Sequence, residues 1–166
     1  MVELKIQNYE ENCKQYSKLK KLLTELLGGD ISISHVGSTA IPDMVGKNII
    51  DILIGASNYE NFEQYSLILK NNGYFEGNNT TQIYKFFAST ENETKSGDVH
   101  IHLVMKDTER YDEFLILKNY LLNNKQERDN YSNFKKEILA KTTDRKEYRQ
   151  IKSEYVSNLL KRARQN

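Results

Sequence analysis

The spacing of apolar and polar residues changes several times along the chain, and each change marks an element. Residues 8–27 place Cys13, Tyr16, Leu19, Leu22, Leu23, Leu26 and Leu27 three or four apart. This predicts an amphipathic helix stopped by Gly28-Gly29. "ISISHV" (31–36) alternates and predicts a strand. "NIIDILIG" (48–55) is almost continuously apolar, which suits a central strand buried on both faces. Ser57 is placed to cap a second helix over roughly 58–72, with Phe62, Tyr65, Ile68 and Leu69 inward and Gly73 as terminator. "QIYKFFAS" (82–89) and "DVHIHLVM" (98–105) read as two strands joined by the polar hairpin "TENETKSG". Beyond them the period is helical: Phe114, Leu115, Leu117, Leu121 and Leu122 mark one helix. Tyr131, Phe134, Ile138 and Leu139 mark the next, and Tyr148, Ile151, Tyr155, Leu159 and Leu160 a third. The expected architecture is an α+β sheet domain over residues 1–106, followed by a helical C-terminal part over 107–166 packed on that core.

Composition narrows the function classes. The chain has 166 residues, 38% hydrophobic and 28% charged, which is ordinary for a globular protein. It contains no apolar run of 18 residues, so no membrane span is expected. The first 15 residues lack an apolar signal segment, and Cys13 is the only cysteine, so the expected location is the cytoplasm. The N-x-Thr triplets at Asn78, Asn79 and Asn92 then carry no meaning. The net charge of +1 conceals an asymmetry: residues 1–124 hold 12 basic and 17 acidic side chains, and residues 125–166 hold 12 and 6. Either the tail is a solvated amphipathic helix, or its basic half faces a phosphate-bearing ligand held by the N-terminal half. A charge this small argues against nucleic acid as a partner. A homodimer is compatible with this composition.

The candidate chemistry is concentrated between residues 35 and 54. Gly46-Lys47 fails as a P-loop, because Ile41 and Asn48 stand where that motif needs glycine and Ser or Thr. Gly37-Ser38 is a better candidate. A strand ending in Gly-Ser can turn sharply and present free amides and a hydroxyl to a phosphate, although a plain turn has the same residues. Thr39, next to this turn, and Lys47, later in the same segment, join it as candidate substrate contacts. Asp51 interrupts "IIDILI", where an unpartnered carboxylate would cost several kcal/mol, roughly 2–7 for even a neutral polar group. A structural partner or a divalent cation would resolve that cost. His35, His100 and His102 all fall on expected strands, and His100 and His102 share one strand face. With Asp51 they form a candidate metal set, although strand histidines are more often hydrogen-bonded core residues. Tyr148 and Lys152 share a helix face and, with Lys135, offer an aromatic platform and ammonium groups; a snorkelling lysine beside a half-buried tyrosine is the plainer account.

"HVGSTAIPDMVGKNIIDILI", "HIHLV", "YSNFKKEIL" and "YRQIKSEYV", in this order from about residue 8 to 160, resemble the GrpB family. That family in turn resembles the DNA polymerase β-like nucleotidyltransferases. The resemblance implies an α+β nucleotidyltransferase-like mixed sheet with flanking helices. It also implies transfer of a nucleotidyl group from a nucleoside triphosphate to a small acceptor. On this reading Gly37 and Ser38 hold the β- and γ-phosphates, and Asp51 holds a divalent ion (Mg²⁺ or Mn²⁺, with Zn²⁺ as an alternative). His102 joins Asp51 as a catalytic residue, and Lys135, Tyr148 and Lys152 contact the nucleotide or acceptor. The sequence also departs from the superfamily pattern. Leu53 replaces the second acid of Asp-x-Asp, His100 and His102 stand where a third acid is usual, and Lys118-Asn119 replaces Arg-Asp before Tyr120-Leu121. Two further readings follow: a non-catalytic binder of a nucleotide or phosphorylated ligand, and a histidine-based metal-binding protein.

Overall fold

A computed structural model describes residues 4–28, 31–91 and 98–165. In chain order it contains β1 (Lys5–Ile6), α1 (Tyr9–Leu27), β2 (Ser32–Val36), β3 (Val45–Gly46), β4 (Ile50–Ala56), α2 (Tyr59–Asn71), β5 (Phe75–Glu76), β6 (Tyr84–Ala88) and β7 (Val99–Met105). Three helices follow: α3 (Glu109–Asn123), α4 (Lys125–Lys141) and α5 (Arg145–Ala163). The five-stranded sheet runs β2-β4-β7-β6-β5, and β1 and β3 form a separate antiparallel pair. Only β4 and β7 are parallel; the other neighbours in the five-stranded sheet are antiparallel, so the fold is a mixed α+β sheet with a helical C-terminus.

The isoleucine-rich run of β4 becomes an interior strand because it has apolar partners on both faces. Ile50, Ile52 and Ile54 face a cluster containing Leu23 and Leu27 of α1 and Phe62 and Leu69 of α2. Leu53 faces the other way, into a smaller cluster with Val36, Val104 and Tyr111. A third cluster joins Ile41 and Met44, from the loop before β3, to Leu121, Tyr131 and Leu159 of the C-terminal helices.

Some details differ from the sequence expectation. The cap of α2 is Asn58, whose side chain accepts from the Asn61 amide, and Ser57 lies one residue outside it. Strands β1, β3 and β5 have two residues each, too few to leave a periodic signature. Helix α1 ends at Gly28 with φ 108°; Gly29 and residues 92–97 of the expected hairpin lie outside the described residues. Among the described residues no helix is long and apolar enough to cross a membrane.

Ile52 is fully buried on the face covered by α1 and α2. Ile52→Ala should lower stability by about 2–5 kcal/mol, seen in urea as an earlier midpoint with an unchanged slope.

Candidate functional site

Strand β2 ends at Val36, and the chain then turns through Gly37 into a single 3-10 turn, Ser38–Ala40. Gly37 has φ 73°, and a Cβ there would overlap the Asp51 carboxylate. Both the left-handed backbone and the close approach therefore require glycine. The turn is open to solvent at Gly37 and partly so at Ser38. Ser38 Oγ lies against Gly46, where a Cβ would overlap it. Thr39 is buried: its hydroxyl donates to the Ile49 carbonyl at 3.1 Å and lies 3.0 Å from His35 Nε2. It braces the turn from beneath.

Register assembles the rest. Val36, Asp51, His100 and Ala88 are successive partners across four strands, and Ser34, Leu53, His102 and Phe86 form the next row on the same face. Asp51 Oδ1 lies 3.4 Å from His100 Nδ1 and 3.5 Å from His102 Nε2. These contacts are longer than the roughly 2.7–2.9 Å of a tight charge-assisted bond, so the attraction is mainly electrostatic. The three side chains keep 22%, 17% and 15% exposure respectively. Burial would raise the Asp51 pKa, but the two imidazoles override it and hold the carboxyl well below its usual range. Burial pushes the His102 imidazole down, against the pull of Asp51. A nitrogen facing a carboxylate carries the proton, so His102 bears it on Nε2, and Nδ1 accepts from the Tyr84 hydroxyl at 3.0 Å. Phe114 of α3 packs on the same imidazole, with centroids 4.7 Å apart.

The C-terminal helices bring positive charge to this face. Lys135 is 4% exposed, donates to the Val45 carbonyl and lies over the Tyr131 ring at 4.7 Å. Burial pushes its ammonium down to about 7; the Lys152 charge adds to the shift and Asp51 opposes it. Tyr148 is also 4% exposed, and Lys47 covers its ring at 5.3 Å. The expected aromatic platform is therefore a packed residue with a lysine over it. Lys152 is partly exposed.

The structure thus brings Gly37, Ser38, Asp51, His100 and His102 together and sets Lys135 within electrostatic reach of Asp51, with Lys152 acting in turn on Lys135. It does not bring His35. That residue pairs with Ile52, so it projects from the opposite face, where it stacks on Tyr16 with centroids 4.6 Å apart. The expected metal set is not assembled either. One carboxylate facing two imidazoles lacks the several hard oxygens that a pair of magnesium ions requires. Leu53, at the missing second acid, is fully buried among apolar side chains. Among the described residues no group of three or more His, Cys, Asp or Glu side chains is arranged to hold a metal ion. Sequence reasoning missed Tyr84, Phe86, Phe114 and Tyr131 as neighbours of the site. Tyr84 and Phe86 alternate on β6 as His100 and His102 do on β7, but only the register shows that the two pairs share a face.

A mixed sheet with a Gly-Ser turn beside a strand carboxylate, backed by a three-helix C-terminus, defines the class of fold. A family model described as "GrpB protein" matches residues 3–162, and the chain belongs to that family. It is 29% identical to the glutamate-rich protein GrpB of Alkalihalophilus pseudofirmus, over 95% of this chain and 94% of that one. It is 24% identical to a UPF0157 protein of Streptomyces coelicolor, over 98% of this chain and 85% of the relative. The crystal structure of the conserved protein GrpB from Enterococcus faecalis superposes with a TM-score of 0.82 at 21% identity, covering 97% of this chain and 96% of that one. The Cid1 poly(U) polymerase in its MgGTP-bound form aligns over 70% of this chain and 38% of its own, with a TM-score of 0.46 and 13% identity.

Two expectations follow. Burial pushes the His35 imidazole down from 6.5 to about 4, with the Lys118 charge adding to the shift and Asp51 opposing it. The stability tied to neutral His35 is therefore whole above pH 6.5 and is lost as the pH falls toward 4, by about 3 kcal/mol in all. His102 shifts in the same direction, so His35→Gln should flatten, and not abolish, the fall in melting temperature from pH 6.5 to 4. Gly37→Ala meets both the left-handed backbone and the Asp51 carboxylate, and should cost at least about 1–2 kcal/mol by urea denaturation.

Proposed function

We propose that the chain is a nucleotidyltransferase-like enzyme, passing a nucleotidyl group from a nucleoside triphosphate to a small acceptor at the Gly37–Ser38 turn and Asp51. One observation carries the reading: an exposed Gly-Ser turn is drawn so close to a strand carboxylate that no side chain fits between them. A Gly-Ser turn open to solvent at Gly37 is a backbone that can come close to phosphate oxygens. Lys135 lies within electrostatic reach of Asp51, so a bound phosphate would favour its charged form, and positive charge there is what a transferring phosphoryl group needs. The imidazoles of His100 and His102 stand beside Asp51, where a protic acceptor would lose its proton.

A second reading is a protein that binds a phosphorylated ligand without turning it over. The burial of Leu53 favours it, because an apolar residue at the second acid position removes chemistry more readily than it removes binding.

A thermal-shift panel of the four ribonucleoside triphosphates tests the binding that both readings share. A ligand at 100 times its dissociation constant stabilises by about 2.7 kcal/mol, which for this length is a rise of roughly 5–10 °C. Lys135→Met should reduce that rise. Repeating the panel with Mg²⁺, Mn²⁺ or Zn²⁺, and with Asp51→Asn as control, reads whether an ion accompanies the ligand. Pyrophosphate release then separates the two readings: its appearance with an added acceptor supports transfer, and saturable binding without it supports the binder. No shift with any nucleotide removes both.

A further inference from the structure

The two histidines beside Asp51 face it through different nitrogens. His102 turns Nε2 to the carboxylate and has its Nδ1 engaged by the Tyr84 hydroxyl at 3.0 Å, so both of its ring nitrogens are occupied. His100 turns Nδ1 to the carboxylate, and its Nε2 is buried with no hydrogen-bond partner. A proton on Nδ1 faces Asp51, which leaves the Nε2 lone pair unused. A buried polar atom without a partner costs about 1–3 kcal/mol, and few are tolerated without a role. A carboxylate on Nδ1 with a free Nε2 is the arrangement in which an imidazole accepts a proton from a nucleophile while the carboxylate fixes its tautomer and steadies the imidazolium.

We propose that His100 is the general base of the site, that Asp51 orients it, and that the group it serves is a hydroxyl or amine of the acceptor. His102, with both nitrogens taken, is a positioning residue that holds Asp51 in place. The proposal rests on the transfer reading above and assigns the proton within it. The acceptor O–H or N–H proton moves to His100 Nε2 as the acceptor atom bonds to the α-phosphorus. The bond from that phosphorus to the bridging oxygen breaks, and its electron pair leaves with pyrophosphate. Phe86 packs edge-to-face on His100, with centroids 4.9 Å apart, and is itself partly exposed.

Two measurements test this on the full chain. Nitrogen-15 NMR of the histidine rings, without ligand, should find opposite tautomers: His100 protonated on Nδ1 and His102 on Nε2. A proton on His100 Nε2 overturns the proposal, whatever the nucleotide experiments show. The second measurement is pyrophosphate release from ATP with glycerol and ethanolamine as protic probes. His100→Asn can keep an N–H toward Asp51 while losing Nε2, so nucleotide-induced stabilisation should persist while release falls by about 100-fold or more. His102→Gln, which keeps a group near Nε2, should fall by less. Equal release by wild type and His100→Asn overturns the base assignment and leaves transfer standing. Nucleotide binding with no release by wild type overturns the base and leaves the binding reading. No nucleotide binding at all removes the base together with the function it serves.

Discussion

A carboxylate set into an apolar strand must be met by donors or positive charge, and the arrangement around Asp51 follows from that requirement. Water reaches only part of the side chain, so two imidazoles from the neighbouring strand hold it ionised. Their placement depends on a parallel pairing in register, Asp51 with His100 and Leu53 with His102. A slip of one residue in β7 would turn both rings to the opposite face and leave the carboxylate alone. The apolar packing of the other face fixes that register, because Ile52 and Ile101 must stay against α1 and α2. Core and site are therefore two faces of one constraint.

Much of the fold was legible in the sequence because its signals are local. The period of α1, the alternation of β2 and the apolar run of β4 each report burial within a single element. The Gly37–Ser38 turn and Asp51 were legible for the same reason, since each is an exception within a clear pattern. What could not be read was relation between elements. Alternation places His35 on a strand near Asp51 but does not say that antiparallel pairing with Ile52 turns it to the far side. The same limit hid Tyr84, whose hydroxyl matters only because β6 lies beside β7. Helical spacing showed Tyr148 and Lys152 on one face, but not that Tyr148 is buried under Lys47.

The strand position two residues after Asp51 is occupied by packing and not by a second carboxylate. Leu53 belongs to the apolar cluster beneath the helical part, so a carboxylate there would have to be buried among Val36, Val104 and Tyr111. The substitution is built into the packing.

Val45 is held from both sides by one helix: its amide bonds to the Ser132 hydroxyl at 3.3 Å, and its carbonyl accepts from Lys135. Helix α4 thus acts as a side-chain substitute for a neighbouring strand, closing the open edge of the two-residue β3. The amine that closes this edge is the same amine whose pKa the Asp51 charge raises. The order of the β1–β3 ribbon and the charge that Asp51 feels therefore depend on one side chain, so the N-terminal ribbon and the sheet carboxylate are tied through a single lysine.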